Sequence, residues 1–329
     1  MIKVAINGFG RIGRTVFKKL ILNSTIQVVA INDLADPATL AHLLKYDSVH
    51  RRFDADVKPA ENGISVNGIV VPVFAEKDPA QLPWKKLEVD VVIESTGRFT
   101  KAEAAQSHLV AGAKKVVISA PGTGDLKSVV LGVNEHILDG SEKIISNASC
   151  TTNNAAPMLK ILNDNWGIET AYITTVHSYT GDQNIHDAPH KDLRRARAAA
   201  QSIIPTTTGA AKAITDIFPE MKGRIGGAGI RVPVIDGSLT DITCILKKDA
   251  DVEAINEKFR LASETFMKGI VEYTTDPIVS VDVIGNTHSC VFDSQLTSVL
   301  GNMVKVVGWY DNEMGYSTRL AELVVKISS

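Results

Sequence analysis

The stretch Asn7-Gly8-Phe9-Gly10-Arg11-Ile12-Gly13 decides the fold of the first half of this 329-residue chain. It follows the apolar run Lys3–Asn7, which is typical of a strand, and leads into Arg11–Leu22, whose apolar residues share one helical face. Glycines spaced G-x-G-x-x-G between a strand and a helix allow a tight turn and let backbone N–H groups approach a pyrophosphate. The stretch therefore predicts a dinucleotide site built on Gly8, Gly10 and Gly13, and the alternative is a structural turn without a ligand.

The next strand strengthens the dinucleotide interpretation. It spans Gln27–Asn32 and is followed directly by Asp33, which lies 20 residues beyond Gly13. A carboxylate at that position accepts hydrogen bonds from the ribose hydroxyls and repels a 2′-phosphate. The spacing therefore predicts NAD rather than NADP as the cofactor.

The first half continues as alternating strands and helices. Its strands are mostly continuous apolar runs, which is typical of strands that are buried on both faces of a parallel sheet. They are predicted at Lys3–Asn7, Gln27–Asn32, Val89–Glu94, Lys115–Ser119, Ser128–Val133 and Lys143–Ser146. Residues 1–149 are therefore predicted to form an α/β domain with a doubly wound parallel sheet, the Rossmann arrangement, whose ligands bind at the carboxyl ends of the strands.

The second half has a different order of predicted elements, in which strands follow one another with few helices between them. This order predicts an α+β domain on a mainly antiparallel sheet over residues 150–312. The predicted helices are Thr151–Asn165, 209–218 and Val252–Glu264, and the predicted strands are Glu169–Tyr179, Gly229–Val234, Ser238–Leu246, Ile278–Asp282, Ser289–Asp293 and Met303–Tyr310. A last helix, Met314–Ile327, is expected to return residues 313–329 to the first domain.

Composition excludes several classes of protein. The net charge is −2, which gives no support for a dedicated nucleic-acid partner. No apolar stretch is long enough for a membrane span, and the N-terminus lacks an export signal, so a cytoplasmic protein is expected. The three cysteines, Cys150, Cys244 and Cys290, have neither disulfide-framework nor metal-ligand spacing, so no metal is predicted.

Cys150 is the best candidate for a nucleophile. It follows a predicted strand in Ser146-Asn147-Ala148-Ser149-Cys150-Thr151-Thr152-Asn153, at the point where a helix begins. The N-terminus of a helix favours a thiolate and is expected to lower the pKa of the thiol. Cys244 and Cys290 lie in apolar alternating strands and are interpreted as core residues.

His177 is the best candidate for the base that activates Cys150. It ends a strand that looks buried and precedes a polar loop, 180–201, where its side chain can face a cleft. A structural histidine is the alternative. A Cys–His pair also fits a thiol protease or an acyltransferase, but neither uses a dinucleotide. A thiol beside a nicotinamide instead fits oxidation of an aldehyde, which leaves a thioester on the cysteine.

Three features predict anion sites. Thr208 and Gly209 stand at the start of a predicted helix in Pro205-Thr206-Thr207-Thr208-Gly209-Ala210-Ala211-Lys212, either as a phosphate site or as an ordinary helix cap. Arg231 is a lone cation in an apolar strand, and Thr180 could share its anion. Arg195 belongs to a basic cluster in the long loop that is either a solvated face or a further phosphate contact.

Together these stretches resemble the glyceraldehyde-3-phosphate dehydrogenase family from end to end. The similarity is most specific at Ser146–Asn153 and extends to Asn7–Arg14, His177–Thr180, Thr208–Lys212 and Trp309–Ser317. The resemblance implies a phosphorylating, NAD-dependent enzyme of glycolysis and gluconeogenesis. It would convert D-glyceraldehyde 3-phosphate and inorganic phosphate to 1,3-bisphosphoglycerate through a thiohemiacetal and a thioester on a cysteine.

The resemblance also implies a role for each matching residue. Cys150 would be the nucleophile and His177 its base. Inorganic phosphate would bind Ser149, Thr151, Thr208 and Gly209, and the substrate's C3 phosphate would bind Thr180, Arg231 and Arg195. The cofactor would contact Arg11, Ile12, Asp33, Lys77, Ser119 and Asn312. The family is typically a homotetramer. The alternatives are erythrose-4-phosphate dehydrogenase, which uses the same thiol chemistry, and a non-enzymatic nucleic-acid binder that uses the NAD pocket.

Overall fold

The computed structural model describes residues 1–328, so that Ser329, the end of the predicted segment 313–329, lies outside it. The chain divides into two compact units. The first comprises Met1–Val129, His136–Ala148 and the residues from Ser317 onward, and the second comprises Val130–Glu135 and Ser149–Tyr316. None of the described helices is long and apolar enough to cross a membrane.

The first unit is built on a nine-stranded sheet. Its strands are β1 (Ile2–Asn7), β2 (Ile26–Asn32), β5 (Val57–Ala60), β6 (Gly63–Val66), β7 (Ile69–Phe74), β8 (Val91–Glu94), β9 (Lys115–Ile118), β10 (Lys127–Ser128) and β11 (Ile144–Ser146); the short strands β3 (Tyr46–Asp47) and β4 (Arg51–Arg52) pair separately. The helices of the unit are α1 (Arg11–Leu20), α2 (Pro37–Lys45), α3 (Trp84–Leu87) and α4 (Ala102–Val110).

The strand order of this sheet is β10-β11-β9-β8-β1-β2-β7-β6-β5. From β10 to β7 all neighbours are parallel, whereas β5, β6 and β7 pair antiparallel. β8 is buried along its whole length, as its continuous apolar sequence predicts for a central parallel strand. The predicted parallel-sheet fold is confirmed, and the carboxyl ends of β1, β2 and β8 lie side by side in register.

Two predictions for this unit need correction. The strand predicted at Ser128–Val133 is reduced to β10, because the chain turns at Gly132, whose φ is 81°, and Asn134 Oδ1 accepts the Val130 amide at 2.8 Å. The strands β5, β6 and β7 were also not predicted: β5 and β6 have only four residues each, and Pro72 interrupts the apolar run of β7.

The second unit carries an eight-stranded sheet with one face covered by helices. Its strands are β12 (Ile168–Ser178), β13 (Ile204–Thr206), β14 (Ile225–Val232), β15 (Ser238–Leu246), β16 (Val271–Thr274), β17 (Cys290–Asp293), β18 (Ser298–Leu300) and β19 (Met303–Tyr310). The helices of this unit are α5 (Cys150–Trp166), α6 (Ala210–Ile217) and α7 (Val252–Glu264). The last described helix, α8 (Met314–Ser328), belongs to the first unit from Ser317 onward.

Most neighbours in this second sheet are antiparallel, as predicted; the parallel pairs are β12 with β14 and β16 with β17. β15 alternates buried and half-buried residues, because one of its faces packs against α5. The strand predicted at Ile278–Asp282 is wrong. Residues Ser280–Val283 form a 3₁₀ turn there, and Val279 and Val281 point into solvent, so the alternating pattern has no sheet to join.

Candidate active site

Cys150 is the first residue of α5, where the sequence predicted it. Ala148 adopts a left-handed φ of 54°, which turns the chain sharply before the helix. Ser149 then caps the helix, since its Oγ accepts the Thr152 amide at 3.0 Å. The thiol of Cys150 is therefore held at the positive end of a helix of 17 residues, and the residue as a whole is half-buried.

His177 is close enough to Cys150 to exchange a proton with it. Its Nε2 lies 3.4 Å from the Cys150 Sγ, and its ring is 5 % exposed near the carboxyl end of β12. β14 runs parallel to β12, and the register pairs His177 with Arg231. The fold thus brings together a thiol, an imidazole and a guanidinium that lie far apart in the sequence.

The hydrogen bonds around His177 indicate which nitrogen carries the proton. His177 Nδ1 lies 2.7 Å from the Ser178 carbonyl oxygen and 3.0 Å from Arg231 Nη1. Arg231 Nη1 has two hydrogens, and two oxygens accept them: the Ser178 carbonyl at 2.9 Å and Thr180 Oγ1 at 3.0 Å. His177 Nδ1 can then donate to the Ser178 carbonyl, which leaves Nε2 free to accept a proton from Cys150.

The pKa of the Cys150 thiol is shifted in the opposite direction from the prediction. Burial raises the pKa of the Cys150 thiol, although Arg231 and the hydrogen bonds of Thr151 act to lower it. The expectation of a lowered pKa was therefore wrong for the free protein, because desolvation outweighs the helix terminus. Burial, assisted by Arg231, also lowers the pKa of His177 to about 3. At neutral pH the site thus holds a neutral imidazole beside a thiol, which is the arrangement that a general base requires.

The predicted phosphate contacts of the second unit form two groups, of which the first is connected by hydrogen bonds around Arg231. Arg231 and Thr180 are joined through their hydrogen bond, and Asp182 connects them to Arg195. Arg195 Nη1 donates to Asp182 at 2.6 Å, while Thr180 Oγ1 donates to the other carboxylate oxygen of Asp182. Arg194 and Arg197, the other members of the basic cluster, are exposed.

The second group lies on α5 and α6. Thr208 and Gly209 precede α6, where Thr208 Oγ1 accepts the Ala210 amide at 3.2 Å and Gly209 occupies the N-cap position. Thr151 lies in the first turn of α5, where its Oγ1 is 3.0 Å from the Tyr310 hydroxyl. Ser149 directly precedes that turn. These hydroxyls and helix N-termini offer donors that suit an anion.

Sequence reasoning missed two members of the site. The Tyr310 hydroxyl joins Thr151 Oγ1 to Thr175 Oγ1 at 3.0 Å each, and its ring packs edge-on against His177 at 6.0 Å. Asp182 accepts hydrogen bonds from Thr180 and Arg195, two of the predicted contacts of the C3 phosphate. Tyr310 stands in the Trp309–Ser317 motif, and Asp182 is two residues beyond Thr180, so that proximity to recognised motifs was the available signal.

The glycine-rich turn of the first unit fits a dinucleotide. Gly8 has a φ of 92°, and a Cβ there would lie 2.7 Å from the Thr96 amide nitrogen. A Cβ on Gly13 would lie 2.1 Å from the Gly8 carbonyl oxygen, so this glycine lets α1 pack on β1. In contrast, a Cβ on Gly10 would meet no atom within 4 Å. The space over Gly10, at the start of α1, is where backbone donors can meet a pyrophosphate.

The remaining predicted cofactor residues are distributed over both units. Asp33 follows β2, and its carboxylate accepts the Phe9 amide at 2.7 Å and the Ala35 amide at 3.0 Å. Arg11 pairs its guanidinium with Asp47 at 3.0 Å, and Arg11 and Ile12 are the first two residues of α1. Lys77 is exposed and Ser119 follows β9, whereas Asn312 is buried in the second unit, where its Oδ1 accepts hydrogen bonds from Ser178 and Ser238.

Comparison with known proteins agrees with both halves of this description. The family model "Glyceraldehyde 3-phosphate dehydrogenase, NAD binding domain" matches residues 2–102, and "Glyceraldehyde 3-phosphate dehydrogenase, C-terminal domain" matches residues 149–312. Glyceraldehyde-3-phosphate dehydrogenase 1 of Bacillus cereus is 53 % identical over 100 % of this chain and 99 % of its own length. The glyceraldehyde-3-phosphate dehydrogenase of Geobacillus stearothermophilus is 54 % identical, and that of Mycobacterium avium 53 %, with at least 98 % of every chain covered. This chain therefore belongs to the glyceraldehyde-3-phosphate dehydrogenase family.

Proposed function

We propose that the protein oxidises D-glyceraldehyde 3-phosphate to 1,3-bisphosphoglycerate with NAD and inorganic phosphate. The observation that carries this proposal is the 3.4 Å approach of Cys150 Sγ to His177 Nε2, in a family of NAD-dependent aldehyde oxidoreductases. Bound NAD supplies the hydride acceptor. The rest of the chemistry belongs to side chains of the second unit.

Cys150 and His177 carry the bond changes. The Cys150 sulfur bonds to the aldehyde carbon as its proton passes to His177 Nε2, and His177 returns that proton to the aldehyde oxygen, which becomes the hydroxyl of a thiohemiacetal. His177 Nε2 then takes the hydroxyl proton while the C1 hydride leaves to the acceptor that NAD would supply, and a thioester remains on Cys150. A phosphate oxygen then bonds to the acyl carbon while the carbon–sulfur bond breaks, which releases the acyl phosphate and restores the cysteine.

The two anion groups are assigned to the two phosphates. Arg231, Thr180 and Arg195 hold the C3 phosphate of the substrate, because a guanidinium binds phosphate through paired donors. Ser149, Thr151, Thr208 and Gly209 hold the inorganic phosphate that attacks the thioester. Two separate anion groups suit a reaction in which a phosphorylated aldehyde meets a second phosphate.

The cofactor is assigned to the carboxyl edge of the first sheet. Gly8, Gly10 and Gly13 shape the pyrophosphate turn, Arg11 and Ile12 offer backbone donors, and Asp33 accepts the ribose hydroxyls. Lys77 follows β7 and Ser119 follows β9, two further strands of this sheet, and Asn312 is also assigned to the cofactor. We propose residues 1–149, completed by 313–329, as the NAD-binding domain and 150–312 as the catalytic domain.

The proposal extends to assembly and location. We propose a homotetramer that works in the cytoplasm and has no dedicated nucleic-acid partner. Exposed apolar side chains in and beside the loop 180–201 support assembly, since Leu193 is 80 % exposed and Ile203 70 %. The net charge of −2 is consistent with the lack of a nucleic-acid role.

A steady-state assay tests the phosphorylating reaction. We expect NADH formation from glyceraldehyde 3-phosphate to depend on added phosphate or arsenate, because the thioester otherwise has no efficient acceptor. Sustained turnover at an equal rate without either anion would contradict the proposal. Erythrose 4-phosphate serves as the competing substrate, and a higher kcat/KM for it would favour the alternative activity, to which the names of the curated relatives lend no support.

A further inference from the structure

A chain of buried hydrogen bonds lies behind the cofactor turn of the first unit. Its members are at most 5 % exposed and include none of the predicted NAD contacts: Trp84, His108, Glu94, Asn7 and Asn32. Trp84 Nε1 lies 3.0 Å from His108 Nδ1, and His108 Nε2 lies 3.0 Å from Glu94 Oε2. A buried carboxylate that takes no part in the proposed chemistry calls for an explanation.

The direction of every hydrogen bond at Glu94 follows from its partners. An indole N–H only donates, so His108 Nδ1 accepts and its Nε2–H donates to Glu94. Glu94 Oε2 also accepts from Asn7 Nδ2 at 2.6 Å. Glu94 Oε1 accepts the Thr96 amide at 2.9 Å and the Thr96 hydroxyl. All four partners of Glu94 are therefore donors, which suits a carboxylate and no neutral amide.

The chain continues from Asn7 to the segment after β7. Asn7 Oδ1 accepts from Asn32 Nδ2 at 2.7 Å. The Asn32 side chain forms two hydrogen bonds with the backbone of Glu76. Its Nδ2 donates to the Glu76 carbonyl and its Oδ1 accepts the Glu76 amide, both at 2.9 Å. Lys77, a predicted contact of the cofactor, is the next residue.

Glu94 thus joins the carboxyl ends of the strands that carry the cofactor site. Asn7 ends β1 beside Gly8, Asn32 ends β2 beside Asp33, and Glu94 ends β8. We infer that Glu94 is a positioning residue for NAD, which fixes through Asn7 and Asn32 the backbone that contacts the cofactor. This inference rests on the proposed placement of NAD at this edge of the sheet.

Glu94→Gln is the sharpest variant, because it keeps the shape and removes only the acceptor. If the NH₂ group turns toward His108 and Asn7, it faces two donors, and Trp84 prevents His108 from relieving this by changing tautomer. If it turns toward Thr96, it can donate to the hydroxyl but still faces the Thr96 amide, which only donates. We expect the Kd for NAD, measured by isothermal titration calorimetry, to rise about tenfold, as a lost buried hydrogen bond implies. The KM for NAD should rise in parallel, while kcat at saturating NAD and the KM for glyceraldehyde 3-phosphate change less than about twofold.

Two further variants separate the possible outcomes. Asp90→Asn is the control, because Asp90 precedes the same strand at its amino end, where it accepts the Lys3 amide at 2.8 Å, and it should leave the Kd for NAD unchanged. Asp33→Asn tests the cofactor site itself. If Asp33→Asn leaves NAD binding intact, the placement of NAD is wrong; if it weakens binding and Glu94→Gln does not, the inference about Glu94 is wrong. The inference would likewise be overturned if Glu94→Gln lowered kcat and raised the KM for NAD and the KM for glyceraldehyde 3-phosphate to a similar extent.

Asn32→Ala covers the case in which Glu94→Gln does not fold. This variant cuts the link to Glu76 and leaves the four donors of Glu94 in place. A raised Kd for NAD with a native circular dichroism spectrum would support the chain as a positioning device. A wild-type Kd would overturn it.

Discussion

The protonation state of His177, the partner of Cys150, depends on the pairing of two strands and on one carbonyl oxygen. β12 and β14 place Arg231 beside His177, and the Ser178 carbonyl sets the proton on Nδ1. Because burial and Arg231 keep the imidazole neutral, the base is available without a prior deprotonation. The thiol, whose pKa is raised by burial, depends on that base more than an exposed thiol would.

His177→Asn should therefore slow the formation of the thioester. We expect the first-turnover burst of NADH to slow by about 10²–10⁴-fold, the usual contribution of a general base. Stopped-flow absorbance with enzyme in excess measures it, and NAD affinity serves as the control, since His177 lies in the second unit. A burst as fast as that of the wild type would show that another group accepts the Cys150 proton.

A second residue-scale prediction concerns a buried carboxyl pair in the second unit. Asp236 is fully buried beside Asp311, and burial followed by the neighbouring charge of Asp311 raises its pKa well above the usual range. A group with a raised pKa in the folded state stabilises the fold at low pH and loses that contribution as pH rises. The unfolding free energy should thus fall between about pH 5 and about pH 8, by up to about 1 kcal/mol per pH unit from this group.

Asp236→Asn should flatten that pH dependence. The amide can still donate a hydrogen bond toward Asp311 but binds no proton in this range. Urea unfolding at the two pH values, at fixed protein concentration, measures the effect. Equal slopes in the wild type and the variant would mean that other groups cause the pH dependence.

At the scale of elements, the glycines of the cofactor turn divide into structural and functional ones. Gly13→Ala places a Cβ 2.1 Å from the Gly8 carbonyl oxygen and should cost about 1–3 kcal/mol of stability. Gly10→Ala meets open space, so we expect its stability to lie within about 0.5 kcal/mol of the wild type while NAD binding weakens. Thermal unfolding and calorimetry with NAD test the pair; unimpaired NAD binding by Gly10→Ala would place the pyrophosphate elsewhere.

The sequence predicted those elements whose pattern is strong over their whole length. β1, β8 and β9 are continuous apolar runs, and Ser238–Leu246, Met303–Tyr310 and Val252–Glu264 were predicted with the bounds that the structure has. The prediction failed where alternation occurs without a neighbouring strand, as at Val279 and Val281. Such pairing is a tertiary property, which a local pattern does not contain.

The candidate site was harder to predict from the sequence than the fold, because its contacts also depend on the tertiary structure. Cys150 and the glycine turn are marked by local context, namely a strand end before a helix. The contacts of Tyr310 with Thr151 and of Glu94 with Asn7 join distant parts of the chain, which no local spacing predicts. Asp182 contacts its own loop, and only its position beside Thr180 marked it. The sign of the Cys150 pKa shift also depended on burial, which only the folded chain supplies.

At the scale of the whole molecule, exposed apolar residues favour self-association. Leu193 and Ile203 expose most of their surface in and beside the loop 180–201. We expect light scattering coupled to size-exclusion chromatography to give four times the mass of one chain. Leu193→Asp should shift the molecule toward smaller species, because a charge would be buried in the interface.

Val110→Asp is the matched control for this experiment. Val110 is 73 % exposed at the end of α4, outside the loop, and its replacement should leave the tetramer intact. A wild-type protein that runs as a monomer at micromolar concentration would contradict the proposed assembly. Dissociation by both variants would show that the effect is not specific to the loop.

The side chain of Asn154, which follows Cys150 in α5, bears on how the protein responds to oxidation. Asn154 lies one helical turn after Cys150, and its Nδ2 donates to the carbonyl oxygens of Ser289 and Trp309. That turn of α5 therefore holds an amide and no second thiol, while Cys244 and Cys290 are buried and burial raises the pKa of both. A sulfenic acid formed on Cys150 by peroxide has no reactive cysteine of its own chain with which to condense, so its reduction through a disulfide depends on a thiol from outside the chain.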